Sequence, residues 1–202
     1  MTTIINYNLG NPKSIKNMLG YLSIDAQISS DPIEIAHAER LILPGVGHFQ
    51  HGMEQLEQLG LIEVLNKAVQ VDKKPILGIC LGMQLLTKHS EEGNIDGLGF
   101  IHAQTLKFKL EDPQLKIPHM GWNTVTSAQN SKLFKGIEDQ SFYFVHSYAA
   151  KTSVPNATNT ITNYGEDFLA AVEKDFVVAT QFHPEKSGAA GARLIANWVK
   201  TL

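Results

Sequence analysis

The chain has 202 residues, 43% of them hydrophobic, enough for one domain of ordinary size to bury a core without disulfides or a structural metal. A formal net charge of -3 provides no basic field to gather a nucleic-acid backbone or an anionic bilayer surface, so neither nucleic acid nor membrane is an expected partner. A single cysteine excludes an intrachain disulfide, and without a signal-like start or a bilayer-length apolar run the expected compartment is reducing and cytoplasmic.

Three short apolar runs, residues 3–7, 40–43 and 75–80, end in Asn, Pro or Gly and read as buried strands. Helical patterns separate them, which predicts a parallel sheet. Asn11 or Ser14 can cap the first helix, where Ile15, Met18, Leu19 and Leu22 share one stripe. Residues 49–70 carry Met53, Leu56, Ile62, Leu65 and Val69 on a second helical stretch with an expected break at Gly60, and residues 81–88 open a helix directly from the third strand.

Past residue 95 the strand-like pieces shorten to 105–110, 141–145, 168–173 and 177–181, a mixed or antiparallel texture. Residues 151–163 lack apolar content and read as a surface loop or exposed hairpin. Residues 187–202 close the chain as a helix with Ala190, Leu194, Trp198 and Leu202 facing the sheet. The expected architecture is α/β, one domain over residues 1–202, its central sheet mixed but mostly parallel, flanked by helices, with antiparallel additions in the C-terminal half.

Gly78-Ile79-Cys80-Leu81-Gly82 has the G-x-C-x-G form at a predicted strand-to-helix junction, the thiol counterpart of the G-x-S-x-G nucleophile turn. Such a turn strains the backbone, and a side chain at either glycine would collide with a neighbouring strand or helix. The start of the following helix favours thiolate, the reactive form. The competing reading is that Cys80 is a small buried hydrophobe.

A second apolar strand ends in His183-Pro184-Glu185, with base and carboxylate two residues apart and able to share one face. Glu185 can then hold one imidazole nitrogen while the other takes the thiol proton. Pro44-Gly45-Val46-Gly47 follows a buried strand, and its backbone N–H groups, with that of Leu81, could stabilise an oxyanion. His37, His51, His89 and His102 read as structural or surface residues. His48 and His51 lack companions for a metal site, so no metal is expected.

These three segments stand in the order found in the class I (triad) glutamine amidotransferases, and the chain resembles that family over nearly its whole length. Asn6-Tyr7-Asn8-Leu9-Gly10-Asn11, Ile117-Pro118-His119-Met120-Gly121-Trp122-Asn123 and Tyr143-Phe144-Val145-His146-Ser147-Tyr148 narrow the resemblance to its imidazole glycerol phosphate synthase branch. The resemblance implies the class I glutamine amidotransferase fold and hydrolysis of L-glutamine to glutamate and ammonia through a γ-glutamyl thioester on Cys80, without a cofactor. It also implies a heterodimer with a separate (β/α)8-barrel cyclase subunit that receives the ammonia.

By the same resemblance Gln84 and Glu92 contact substrate, Ser147 and Tyr148 clamp it through their backbone, and Pro118, Met120, Trp122, Tyr143 and Lys186 lie near the partner interface. From the residues alone Trp122 and Tyr143 are equally readable as core aromatics; exposure would favour the partner. The opening departs from the branch, which usually has Asp before the Tyr and a Leu-Arg pair where Pro12 and Lys13 stand. A related glutaminase feeding a cyclase-like partner in surface-polysaccharide sugar synthesis is the alternative acceptor. Two other functions fit parts of the pattern: a docking module that keeps only the fold, and a cysteine hydrolase of esters or peptides.

Overall fold

The computed structural model describes residues 1–151 and 153–201. Its first half alternates strand and helix: β1 (Thr2–Ile5), α1 (Pro12–Tyr21), β2 (Ala26–Ser29), α2 (Pro32–His37), β3 (Arg40–Leu43), α3 (Phe49–Gln58), α4 (Leu61–Asn66), β4 (Ile76–Ile79) and α5 (Leu81–Leu85). Asn11 caps α1, its side chain accepting from Ser14 N at 3.3 Å, with Pro12 in the first turn where a missing N–H costs nothing. Gly60, at φ 65°, separates α3 from α4 as its lack of a Cβ permits, and a π turn over Lys67–Val71 prolongs α4.

Shorter strands fill the second half: β5 (Thr87–Ser90), β6 (Ile95–Asp96), β7 (Ile101–Lys107), β8 (His119–Thr124), β9 (Ser141–His146), β10 (Tyr148–Ala150), β11 (Thr158–Asn163), β12 (Asp167–Lys174) and β13 (Val177–Thr180), before the closing helix α6 (Gly188–Thr201). The main sheet runs β11-β12-β13-β4-β3-β1-β2. Its five strands from β13 to β2 are parallel, and β12 and β11 join antiparallel. This is the α/β architecture expected, mostly parallel with antiparallel additions late in the chain. Two smaller sheets, β10-β7-β5-β6 and the β8-β9 pair, lie beside it.

Strand alternation divides the core into two layers. Ile5, Leu41, Leu43 and Ile76 pack on the side of Leu56 and Leu65 from α3 and α4. Ile4, Ile42, Leu77 and Ile79 meet Ile15 and Leu19 of α1 and Leu194 and Trp198 of α6 on the other. Because helices cover both faces, β1, β4 and β13 are buried at every position, the threonines of β1 and β13 included, which is why apolar residues there do not alternate with exposed polar ones.

One expectation needs correction. The helix after Cys80 ends at Leu85, not 88, because residues 87–90 pair with β6 and β7 and Thr87 Oγ1 donates to Gln84 O at 2.7 Å. Of the loop or exposed hairpin expected over 151–163, residues 158–163 follow the hairpin alternative as edge strand β11, antiparallel to β12, where polar Thr and Asn side chains are at home. β2 and β8 escaped the sequence reading, since each carries too little continuous apolar character. Leu202, assigned to the closing helix, lies outside the described residues. Among those residues no helix is long and apolar enough to cross a membrane.

Candidate active site

Parallel pairing of β3, β4 and β13 aligns their C-terminal ends, the edge where ligand sites gather in α/β sheets. Cys80 directly follows β4, and His183 lies three residues past the end of β13, whose Thr180 is in register with Ile79. The Pro44–Gly47 turn follows β3 on the other side of β4.

Cys80 sits at φ 54°, ψ -110°, a positive-φ conformation that an L side chain rarely adopts. Tight packing enforces it. A Cβ at Gly82 would stand 1.8 Å from Leu43 O on β3, and one at Gly78 would meet Leu86 Cδ1 at 2.7 Å. Gly82→Ala is therefore expected to cost about 3 kcal/mol of stability, because rigid backbone has to yield. Urea melts of the two proteins check this; equal midpoints would mean that the turn relaxes freely.

The thiol is buried, 3.7 Å from Val145 O and 3.8 Å from Gln181 Nε2. His183, also buried, forms a 2.7 Å hydrogen bond from Nδ1 to Glu185 Oε1, and its backbone N–H donates to Tyr143 O at 2.9 Å. His183 Nε2 and Glu185 Oε2 are buried without a hydrogen-bond partner among the described residues. Burial alone would lower the imidazole pKa, but the nearby Cys80 and then the hydrogen-bonded Glu185 together raise it to about 10. The imidazole therefore holds a proton at neutral pH and can deliver it to a leaving group.

Between Cys80 and the Pro44–Gly47 turn, Leu81 N–H donates to Gly45 O at 3.3 Å. That N–H is thus occupied by the turn's own carbonyl. Tyr7, fully buried, donates its hydroxyl to Pro44 O at 2.7 Å beneath the same turn. Burial, and secondarily Cys80, push the Tyr7 phenol above its ordinary range, so it remains a donor.

A cavity of about 240 Å3 opens above Cys80, lined by Val46, Gly47, Gln84, Glu92, Ser147 and Tyr148 among others. Gln84 is held by its Nε2, which donates to Tyr148 O at 2.8 Å and Gln181 Oε1 at 3.1 Å. Glu92 accepts from Phe49 N at 2.8 Å. A larger cleft, about 330 Å3, lies by Glu173 and Trp198 and contains neither Cys80 nor any histidine.

Pro118 borders the cavity, and Met120 and Trp122, on the outward face of β8, are 61% and 60% exposed. Trp122 is therefore no core aromatic. It meets half-buried Tyr143 edge to face at 6.3 Å, with Lys186 Nζ 5.7 Å from the Tyr143 ring. Among the described residues no three His, Cys, Asp or Glu side chains converge as metal ligands.

Sequence reasoning passed over Tyr7, Gln181 and the buried pair His119 and His146. Both histidines lie in the 117–123 and 143–148 segments, and period-two alternation in β8, which buries His119 while exposing Met120, is the signal that marks His119.

The sequence matches the family model for glutamine amidotransferase class-I over residues 4–202. It is 51% identical, over 99% of each chain, to the imidazole glycerol phosphate synthase subunit HisH 2 of Methanococcus maripaludis. To subunit HisH 1 of the same organism it is 46% identical over the whole of both chains. Among solved structures, a glutamine amidotransferase from Thermotoga maritima superposes with a TM-score of 0.62 over 99% of this chain and 80% of that one, at 19% identity. At that identity the likeness speaks for the fold.

Proposed function

The chain belongs to the class-I glutamine amidotransferases, and from that premise we propose that its single domain is the glutaminase subunit of an imidazole glycerol phosphate synthase. The observation that carries the reading is Cys80 on a strained turn beneath a small polar-rimmed cavity, in the same site as an imidazole held at Nδ1 by Glu185 with its Nε2 unpartnered among the described residues.

The Cys80 thiolate attacks the side-chain amide carbon of L-glutamine, and the carbonyl π electrons move to oxygen. On collapse of the tetrahedral adduct the C–N bond breaks, His183 gives its proton to the leaving nitrogen, and ammonia departs from a γ-glutamyl thioester. Water then attacks the thioester with His183 as base, and glutamate leaves as the thiolate returns. Glu185 orients the imidazole throughout. Gln84 and Glu92, with the backbone of Ser147 and Tyr148, hold the amino acid. No cofactor enters these steps.

An oxyanion needs the Leu81 N–H, with donors from Gly45, Val46 or Gly47, yet Gly45 O accepts from Leu81. Movement of the Pro44–Gly47 turn must free it, so turnover is gated by whatever shifts that turn. The exposed Met120 and Trp122, with Pro118, Tyr143 and Lys186, form the face proposed to dock a (β/α)8-barrel cyclase and so complete a heterodimer. Ammonia would reach the cyclase site shielded from solvent, and the unpaired thiol suits a reducing cytoplasm.

Mixing the chain with that cyclase, L-glutamine and the phosphoribosyl-formimino aminoimidazole carboxamide ribonucleotide tests the reading. Imidazole glycerol phosphate and glutamate in equal amounts are expected. Glutamate without the imidazole product would move the ammonia to another acceptor; neither product, with no adduct of a glutamine-like electrophile on Cys80, would leave only a docking module.

A further inference from the structure

His119 and His146 lie back to back between the exposed face of β8 and the cavity, buried at 2% and 6% exposure. Phe144 and Tyr164 stack on the His119 ring at 4.9 and 4.0 Å. His146 Nδ1 is 2.8 Å from Tyr148 O, a carbonyl that can only accept, so that nitrogen carries the hydrogen. In the neutral ring Nε2 is then bare and accepts from His119 Nδ1 at 3.1 Å. His119 Nε2 is left as the acceptor for Asn123 Nδ2 at 3.4 Å.

Asn123 cannot turn over to offer its oxygen instead. Its Nδ2 also donates to Asn163 O at 2.9 Å, and its Oδ1 accepts from Thr124 N at 2.8 Å. With a carbonyl at one end and a fixed amide at the other, only one placement of protons satisfies every member. Burial, the main cause at both rings, lowers the pKa of His119 to about 4 and that of His146 to about 3, which keeps them uncharged at neutral pH.

The chain of hydrogen bonds does not stop at Tyr148. The same carbonyl accepts from Gln84, and Gln84 holds Gln181, whose Nε2 reaches Cys80 Sγ. We propose that His119 and His146 are a positioning pair that sets the Ser147–Tyr148 backbone of the glutamine pocket from strand β8, and so ties the partner-facing strand to substrate affinity. The proposal rests on the glutaminase reading of that pocket.

His119→Phe keeps the stacked ring but removes the donor, leaving His146 Nε2 buried and unpaired. In the complex with the cyclase, KM for glutamine is expected to rise about tenfold with kcat within about twofold, since a lost buried partner weakens the ground state and transition state alike. His119→Asn, which retains a donor near the Nδ1 position, should return KM to within about threefold of the parent value. Nitrogen NMR of the parent protein should show both rings protonated at Nδ1 at neutral pH.

An unchanged KM in His119→Phe, with only thermal stability lowered, would overturn the proposal, as would Nε2 protonation on either neutral ring. Failure of the parent complex to hydrolyse glutamine would instead overturn the glutaminase reading, which the ring tautomers do not report.

Discussion

Cys80→Ala should lower glutamine-dependent synthesis by about 10⁴-fold or more, because the covalent route is lost entirely and no other thiol exists in the chain. Synthesis supported by added ammonium salt should be unaffected, since in the proposed heterodimer the acceptor chemistry belongs to the cyclase subunit. The pair of assays separates a lost nucleophile from a lost complex: an unfolded or undocked variant would be expected to disturb both. Alanine is smaller than cysteine and fits the buried site, and the strained φ of 54° is imposed by the surrounding turn rather than by the thiol. Glutaminase activity that survives in Cys80→Ala would remove this residue from the chemistry.

The second large effect is expected at Glu185, whose Oε1 lies 2.7 Å from His183 Nδ1 while Oε2 has no partner among the described residues. Glu185→Gln keeps the shape but removes the charge. A fall in kcat on the order of 10³ is expected, comparable to other triads whose carboxylate is neutralised, because the imidazolium is no longer stabilised and its tautomer no longer dictated.

The pH profile gives the sign. In the parent, burial would lower the His183 pKa, but Cys80 and Glu185 raise it to about 10, so the protonated form that serves the leaving nitrogen is lost only as pH rises through that value. Without the carboxylate one of the two raising influences is gone, and the alkaline limb of kcat should move to lower pH. A limb that stays in place, with kcat within about threefold of the parent, would make Glu185 a packing residue.

Of the five parallel strands β1, β3, β4 and β13 were legible and β2 was not, because burial of both sheet faces leaves apolar runs such as Leu41–Leu43, Ile76–Leu77 and Val177–Ala179. The helix stop at Gly60 and the cap at Asn11 were legible for local reasons, a left-handed φ and a side-chain acceptor within three residues. β8 and β11 were not. Neither carries a continuous apolar run, and what makes them strands is a neighbour elsewhere in the chain: β9 for His119–Thr124, β12 for Thr158–Asn163. Likewise Thr87–Ser90 left the helical pattern to pair with β7, since pairing outweighs a weak local helix preference.

By itself the sequence determined which residues can do chemistry: one thiol between two glycines, a histidine two residues before a glutamate, and a glycine turn, each readable because a strained turn or a short loop places local demands on residue type. Tertiary structure alone decided how those parts meet. Parallel register of β3, β4 and β13 brings three loops to one edge, while Gly45 O accepts from the Leu81 N–H and pairing of β8 with β9 sets His119 Nδ1 against His146 Nε2. Hydrogen bonds between residues tens of positions apart depend on distance and direction in space, which no run of neighbouring residues encodes.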